Sequence, residues 1–169
     1  KIYKLTVSEK TKSLRVANTI IEKLLKQNFN RSDCIIAFGG GVIGDLSAFI
    51  SNLTKRGLKF INIPTTLLSQ ADASIGGKTG VNSIEGKNLI GTFYQPDFVL
   101  TDLLTLKSLP YEQIVCGYGE ILKHSLILDK KFFLWLCKNG KKIIYNRDNK
   151  NLKKAIIKSC KIKSKIINK

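Results

Sequence analysis

Residues 34–45 read CIIAFGGGVIGD, and this stretch decides the fold. Its first five residues, CIIAF, are continuously apolar and rich in β-branched side chains, which is typical of a buried parallel strand. The glycines that follow, Gly39–Gly41, end the strand, and residues 42–53 can form a helix. A G-x-G-x-x-G pattern therefore opens a helix directly after a strand, where backbone N–H groups can approach a pyrophosphate. The stretch predicts an α/β nucleotide-binding fold of the Rossmann-like kind.

One part of the ordinary dinucleotide fingerprint is missing. That fingerprint has an acidic residue about 20 positions downstream of the glycines, which holds a ribose. Here the next acid after Asp45 is Asp72. A glycine-rich tight turn that binds nothing is therefore the alternative to a nucleotide site.

The pattern on either side of this stretch predicts an α/β part followed by an all-helical part. Apolar residues recur on one helical stripe in residues 12–28, and short apolar runs predict strands at 59–63 and 98–100. Leu67 and Leu68 suit a short helix, whereas residues 76–91 are rich in glycine and polar groups and predict a loop. From Pro110 the pattern is helical to the end. We therefore place a domain boundary after residue 109.

Composition excludes several classes of protein. No apolar run approaches the ~18 residues that a membrane span needs. The four cysteines, among 169 residues, form no CxxC pair, which argues against a disulfide scaffold or a zinc finger and favours a reducing compartment. The chain begins with lysine and contains no methionine, so we expect it to be a piece of a longer protein.

The net charge of +17 is concentrated at the C-terminal end. Residues 130–169 hold 13 lysines and Arg147 against one acid, Asp148. A basic tail can bind nucleic acid or an anionic membrane. Lysine dominates over arginine throughout the chain, however, and the tail lacks the aromatic interleaving of a base-stacking surface. We therefore expect solvated helix faces that contact neither nucleic acid nor membrane, with a basic nucleic-acid-binding module as the alternative.

Two further groups of residues carry candidate chemistry. The first is the segment 64–96, where hydroxyls, an acid and two lysines lie among many glycines, and lysine heads suit phosphate or carboxylate. The second is the helical stretch 117–124, in which Glu120 and His124 share a face and could hold a divalent metal. The alternatives there are a histidine at the surface or at an interface, and a surface ion pair between Glu120 and Lys123.

Together these strings resemble the 3-dehydroquinate synthase family of the sugar phosphate cyclases. The resemblance rests on five motifs in order: GGGVIGDLSAF, RGLKFINIPTTLLSQADASIGGKTGVN, GKNLIGTFYQP, DLLTLKSLP and GEILKH. It implies an NAD-binding α/β domain, partial here, over residues 1–109. It also implies the start of a helical metal-binding and substrate-binding domain over residues 110–169. The implied reaction converts 3-deoxy-arabino-heptulosonate 7-phosphate to 3-dehydroquinate and phosphate in the shikimate pathway, with NAD used catalytically.

The resemblance also implies roles for individual residues. Those that match the family's NAD-contacting positions are Glu9, Lys12, Gly41, Val42, Asp45, Thr65, Thr66, Lys78, Lys87, Thr105 and Ser108. Those that match positions in contact with the substrate are Asp72, Lys78, Asn88 and Lys123, with Arg56 reaching the substrate phosphate of a neighbouring subunit. Glu120 matches the carboxylate ligand of a divalent metal, zinc or cobalt. A cytoplasmic homodimer with a small sugar phosphate substrate is implied.

The chain departs from the family pattern at several points. Gln113 stands where a glutamate is common, and His124 stands where an aromatic residue is common, so neither is assigned a role. The family's two histidine ligands lie in a GHTFGHA-like stretch that is absent here, as are its first strands. We therefore expect little activity from this chain alone. Another sugar phosphate cyclase, or an NAD-dependent polyol dehydrogenase of the same superfamily, is the alternative reading.

Overall fold

The computed structural model describes residues 1–168, which form two compact units. One unit contains Lys1–Ile63 and Gly77–Leu100, and the other contains Pro64–Gly76 and the chain from Thr101 onward. The strands are β1 (Cys34–Gly39), β2 (Lys59–Pro64), β3 (Lys78–Val81), β4 (Ile90–Phe93) and β5 (Phe98–Val99). The α-helices are α1 (Leu14–Leu25), α2 (Gly41–Leu53), α3 (Tyr111–Leu128), α4 (Lys130–Ile144) and α5 (Asn149–Ile167).

The first unit is built around a three-stranded sheet in the order β1-β2-β5. β2 and β5 run parallel, with Ile61 beside Phe98. Ala37 of β1 and Phe60 of β2 pack against Ala48 of α2, so α2 covers one face of the sheet. Because side chains alternate along a strand, the residues next to them point to the opposite face.

The turn from β1 into α2 requires a glycine. A Cβ at Gly39 would lie 2.8 Å from the side chain of Ile43, one turn into the helix. A larger residue at position 39 is thus excluded, because α2 passes close to the end of β1. The predicted strand at 34–38 and the predicted helix at 42–53 are both present within a residue of their expected bounds.

The predicted loop at 76–91 was partly wrong, because β3 and β4 form an antiparallel hairpin there. Gly80 lies directly opposite Gly91 in this pairing. A Cβ on Gly91 would lie 2.2 Å from the carbonyl oxygen of Thr79, so glycine lets the two backbones approach closely. The glycines that made the segment read as a loop are therefore part of a strand pair.

The second unit is helical. Ile114 and Ile121 of α3 share a core with Phe132 and Leu136 of α4 and with Leu152 of α5. Asp129 caps α4 by accepting a 2.8 Å hydrogen bond from the backbone N–H of Phe132, and Asp148 caps α5 in the same way through Asn151. The Nζ of Lys154 lies 4.3 Å from the ring centroid of Trp135, so part of the basic surface covers aromatic side chains.

Residues 64–76 belong to the helical unit, and so do residues 101–109. Leu67, Ala71 and Leu106 lie in the same core as α3, α4 and α5, which explains the grouping. This division by packing differs from the division of the sequence at residue 109, which follows the chain. The predicted range 110–169 ends at Lys169, which lies outside the described residues. The predicted fold class, an α/β Rossmann-like part followed by a helical part, is confirmed. No helix within residues 1–168 is both long and apolar enough to cross a membrane.

Candidate functional site

The first group of candidate residues surrounds the glycine turn of the α/β unit. Gly41 and Val42 begin α2, where the first backbone N–H groups of a helix have no partner within the helix. Asn62 of β2 lies beside this turn, because a Cβ on Gly44 would be 3.4 Å from its side-chain amide. Asn62 is buried, and its Oδ1 has no hydrogen-bond partner among the described residues. Because the N–H groups of Ile43 and Gly44 already donate to the Gly40 carbonyl, the turn offers those of Gly41 and Val42, together with one unpaired acceptor.

Lys12 links two of the predicted site residues in this unit. Its Nζ donates hydrogen bonds to Oδ2 of Asp45 and to Oδ1 of Asn88. Lys12 is only 5% exposed, and a buried ammonium is stable only when its donors are paired. Asn88 lies in the segment between β3 and β4 and has a positive φ of 58°. Lys12, Asp45 and Asn88 thus form one polar cluster, and their contacts with cofactor and substrate stay predictions.

Glu9 and Lys87 form the exposed edge of the same network. Asn82 donates a 3.0 Å hydrogen bond to Oε2 of Glu9, and the backbone N–H of Asn88 donates to Oδ1 of Asn82 at 3.0 Å. Lys87 Nζ lies 3.6 Å from Oε2 of Glu9. The hydrogen bond from Asn82, with smaller contributions from the nearby lysines, lowers the pKa of Glu9 below its ordinary value. Glu9 therefore stays ionised at neutral pH.

Two predicted residues of this unit lie outside the cluster of Lys12, Asp45 and Asn88. Lys78 is the exposed first residue of β3, opposite Phe93. Arg56 is exposed at the end of a short 3₁₀ helix, with a positive φ of 68°. Their predicted contacts with cofactor and substrate stay predictions.

In the helical unit, four predicted cofactor residues lie on two short segments. Thr65 and Thr66 precede a π-helical turn at Ser69–Ala73, and Thr66 and Ser69 exchange hydrogen bonds that cap it. Thr105 donates to the carbonyl of Asp102 at 2.7 Å and accepts from Gln70 at 3.1 Å. Ser108 lies in a turn whose carbonyls, at Leu106, Lys107 and Leu109, all accept hydrogen bonds from Arg147. The hydrogen bond from Gln70 joins the two segments, and Arg147, which lies between α4 and α5, holds the second one.

The densest group of ionisable side chains in the helical unit contains Asp72, Glu120 and His124. One ligand atom of each lies within 4.8 Å of the other two. The Nε2 of His124 is 3.2 Å from Oδ1 of Asp72 and 3.3 Å from Oε1 of Glu120. Lys123 forms an ion pair with Glu120, and Lys163 Nζ lies 2.7 Å from Oδ1 of Asp72. Two carboxylates, an imidazole and two ammonium groups thus meet at one place.

Of the two alternatives for His124, a surface or an interface position, the surface position was wrong. His124 is 4% exposed, and its Nδ1 lies 2.7 Å from the hydroxyl of Ser159 on α5. The helical periodicity of α3 placed Glu120 and His124 on one face but could not show that α5 covers that face. Tertiary packing buries the imidazole.

Sequence reasoning missed Lys163 and Ser159. Lys163 contacts both the carboxylate and the backbone carbonyl of Asp72, each at 2.7 Å. The signal was present, because Ser159 and Lys163 are four residues apart on α5 and share the face that carries Leu152 and Ile156. A buried serine and a partly buried lysine on an otherwise apolar stripe indicate polar partners opposite them.

Two family profiles match the chain. One is described as 3-dehydroquinate synthase N-terminal and matches residues 2–116, and the other is described as 3-dehydroquinate synthase C-terminal and matches residues 117–169. A curated 3-dehydroquinate synthase from Pelagibacter ubique is 58% identical over 166 residues, which are 98% of this chain and 45% of that protein. The chain therefore spans somewhat less than half the length of this curated relative.

Solved structures of related cyclases share the fold. The 2-epi-5-epi-valiolone synthase of Streptomyces hygroscopicus subsp. jinggangensis, solved with NAD⁺ and Zn²⁺ bound, matches with a TM-score of 0.89 and 28% identity. The match covers 94% of this chain and 44% of that one. A 2-deoxy-scyllo-inosose synthase, complexed with carbaglucose-6-phosphate, NAD⁺ and Co²⁺, matches with a TM-score of 0.87 and 30% identity, over 99% of this chain and 45% of that one.

Proposed function

The chain belongs to the 3-dehydroquinate synthase family, and we propose that the whole protein is a 3-dehydroquinate synthase. It would convert 3-deoxy-arabino-heptulosonate 7-phosphate to 3-dehydroquinate and inorganic phosphate, with catalytic NAD and a divalent metal. The single observation that carries this proposal is the 58% identity to a curated synthase over nearly the whole chain. The two related cyclases of known structure are only 28% and 30% identical.

The glycine turn of α2 fits a dinucleotide. The partnerless N–H groups at the start of α2 suit a pyrophosphate, and the absence of a side chain at Gly41 allows it to approach the backbone. The unpaired Oδ1 of Asn62 suits a hydroxyl or amide donor, groups that NAD carries. The cluster of Lys12, Asp45 and Asn88 next to this turn replaces the missing downstream acid as a source of polar contacts.

The carboxylates of the helical unit fit a divalent metal. Glu120 would hold the ion, with Asp72 close enough to contact either the ion or its substrate. When bound, such an ion polarises the hydroxyl that is oxidised and lowers its pKa. Lys123 and Lys163 neutralise the two carboxylates in the chain as it stands, so a metal bound to Glu120 would take the place of Lys123 there and free this lysine for an anionic substrate. We propose zinc, the ion of the valiolone synthase structure, before cobalt.

In each unit, taken by itself, an exposed lysine beside the proposed site can bind an anion. Lys123 is 60% exposed at its side chain and Lys87 is 69% exposed, so both can reorient towards a phosphate or carboxylate. Lys163 forms an ion pair with Asp72 and so keeps this carboxylate in place. Departure of phosphate needs little help from a protein base, because the substrate's own phosphate can take the proton.

Three finer features belong to the same proposal. We propose a homodimer, because the exposed Arg56 matches the family arginine that reaches the neighbouring subunit's substrate. Lys78, Thr65, Thr66, Thr105 and Ser108 are proposed to contact NAD on the same basis. We propose a cytoplasmic enzyme, since all four cysteines are free thiols, as is usual in a reducing compartment.

Phosphate release by the full-length protein tests the function. We expect release of inorganic phosphate from the heptulosonate phosphate that depends on both NAD⁺ and a divalent metal. The variant Glu120→Gln should lose at least about 100-fold in rate, since it removes the charge of a metal ligand. Glu112→Gln, an exposed carboxylate on the same helix α3, is the matched control and should retain activity.

The product identifies the alternatives. A different cyclic product would assign the protein to another sugar phosphate cyclase, and net accumulation of NADH would assign it to the polyol dehydrogenases. An unchanged rate in Glu120→Gln would remove the proposed metal role. Residues 1–169 alone should show little turnover, because the family's histidine ligands lie outside them.

A further inference from the structure

The turn between α4 and α5 carries an arginine that binds the backbone carbonyls of another segment. Arg147 donates through Nη1 to the carbonyl oxygens of Leu106 and Lys107, and through Nη2 to that of Leu109. These carbonyls lie 38 to 41 positions earlier in the chain. A lysine offers its donors from one nitrogen, whereas a guanidinium presents N–H groups from three nitrogens in a fixed fork. The residue type therefore suits several acceptors at once.

The backbone at Arg147 has a conformation that residues other than glycine rarely adopt. Its φ is +48°, in the left-handed region, and this costs energy that the surrounding contacts must offset. The next residue, Asp148, caps α5 by accepting a 2.9 Å hydrogen bond from the N–H of Asn151. Two residues before the arginine, Tyr145 packs on Tyr111 at the start of α3, with 5.5 Å between the ring centroids. The turn is thus fixed on both sides of Arg147.

The carbonyls that Arg147 binds surround Ser108, which is itself exposed. The carbonyl of Lys107 belongs to the peptide group that also contains the N–H of Ser108. Because a peptide group is planar and rigid, a hold on this carbonyl also fixes the direction of that N–H. The carbonyls of Leu106 and Leu109 are held on either side. Arg147 therefore determines how the chain presents position 108 to its surroundings.

A different residue holds the first half of the same segment. Nε2 of the buried Gln70 donates to the carbonyl of Asp102 at 3.0 Å and to the hydroxyl of Thr105 at 3.1 Å. Gln70 thus fixes residues 102–105, whereas Arg147 binds the carbonyls within residues 106–109. Loss of the arginine should therefore loosen the second half of the segment and leave the first half in place.

We propose that Arg147 is a positioning residue that holds residues 106–109 in the conformation in which Ser108 contacts the cofactor. This consequence rests on the proposed function, since the contact of Ser108 with NAD is part of that proposal. The hold on the segment does not depend on the reaction. If the segment without this arginine is in the binding conformation about a tenth of the time, the apparent Kd for NAD⁺ rises about tenfold.

The competing arrangement makes Arg147 a direct ligand of the anionic substrate. The carbonyls of Leu106 and Lys107 engage both hydrogens of Nη1, and that of Leu109 engages one of Nη2. The pair of nitrogens that could bind a phosphate through two parallel hydrogen bonds is therefore already in use. A ligand role would raise the KM for the sugar phosphate, whereas the positioning role raises the Kd for NAD⁺.

Hydrogen exchange of the full-length protein, measured without cofactor, tests the hold itself. The N–H groups of Lys107 and Leu109 are hydrogen-bonded within the segment, so they report its local opening. In Arg147→Lys, which keeps the charge, these groups should exchange about tenfold faster, while residues 102–105 and α3 exchange as in wild type. The exposed Arg31 gives the matched control Arg31→Lys, which should leave the pattern unchanged. Unchanged exchange at 107 and 109 in Arg147→Lys, or an equal rise in α3, overturns the proposal.

Calorimetric titration of the full-length variants with NAD⁺ tests the consequence. In Arg147→Lys the Kd for NAD⁺ should rise about tenfold, and the KM for the heptulosonate phosphate should stay that of wild type. A rise in KM alone makes Arg147 an anion ligand and overturns the proposal, as does an unchanged Kd. A wild-type protein that binds no NAD⁺ would contradict the proposed function and, with it, the role of Arg147 towards the cofactor. The exchange measurement needs no cofactor, so it judges the hold separately.

Discussion

Lys12 and Asp45, which are 33 positions apart, form an ion pair in which the lysine is almost fully buried. The partners come from the residue that precedes the cap of α1 and from the second turn of α2. This pair fixes the chain upstream of α1 next to the glycine turn. Both the stability of the α/β unit and the shape of the proposed nucleotide site depend on it.

Lys12→Met should destabilise the chain by about 1–3 kcal/mol, because the partly buried Asp45 loses the donor that it shares with Asn88. Urea unfolding measures the change. Lys10→Met, an exposed lysine two residues away, should change stability by less than about 0.5 kcal/mol. In the double variant with Asp45→Asn, the two effects should not add, since they remove the same interaction. Additive effects would show that the ion pair contributes nothing.

Alanine substitutions at two glycines of α3 should have opposite effects on the stability of the chain. A Cβ on Gly117 would lie 2.6 Å from the backbone N of Leu68, whereas a Cβ on Gly119 meets nothing within 4 Å. Gly119→Ala should therefore stabilise the chain by about 0.5–1 kcal/mol through helix propensity. Gly117→Ala should destabilise it by about 1–3 kcal/mol, since α3 must move from residues 67 and 68. Thermal unfolding of both variants measures these changes. Equal shifts in unfolding temperature would contradict the close packing of Gly117 against Leu68.

Ionisation of Cys160 should lower the folding stability of the chain at alkaline pH. Burial raises the pKa of its thiol from an ordinary value of 9.0 to about 11. The unfolded chain therefore loses this proton first, and stability falls as pH rises from 9 to 11. The slope contributed is at most about 1 kcal/mol per pH unit, since solvent screens part of it.

The comparison that isolates Cys160 is the difference in unfolding free energy between wild type and Cys160→Ala at pH 8, 9 and 10. Other groups titrate in both proteins and cancel. We expect wild type to lose its advantage as pH rises. A constant difference would mean that the thiol ionises alike in both states. The exposed Cys137 gives the control variant Cys137→Ala.

Asp129 should contribute a helix cap that acid removes. Its carboxylate accepts a hydrogen bond from the backbone N–H of Phe132, and this bond lowers its pKa below the ordinary 3.8. The stabilisation is present above pH 3.8 and is lost as pH falls through the lowered value. Asp129→Ala should cost about 1 kcal/mol at neutral pH. The exposed Glu85 lies in no helix, and Glu85→Ala should cost less stability by urea unfolding.

Much of the fold could be predicted because its elements carry local signals. Cys34–Gly39 is a continuous apolar run, and α1 shows a clean helical stripe that begins after the Ser13 cap. The hairpin of β3 and β4 could not be predicted in this way. Its central pair, Gly80 and Gly91, has no side chains to alternate, and the reason for glycine there is a partner strand that local sequence does not reveal.

The candidate site, too, could be predicted only in part from the sequence. Lys12, Asp45 and Asn88 were predicted from the resemblance, and the structure brings them together. Glu120 and Asp72 were predicted separately, but their meeting at His124 was not. That meeting depends on α5, whose lysines read as a solvated surface until Ser159 and Lys163 are placed on its buried face.

The face of the β1-β2-β5 sheet away from α2 has a consequence for the behaviour of the chain in solution. Ile36 is 60% exposed, Phe38 67% and Phe98 57%, and all three lie on the side away from α2. Attraction between such faces is opposed by mutual repulsion of molecules that each carry a charge of +17. Added salt weakens the repulsion and leaves the attraction intact. Dilute buffers should therefore keep the chain dispersed, and concentrated ones should drive it to self-associate.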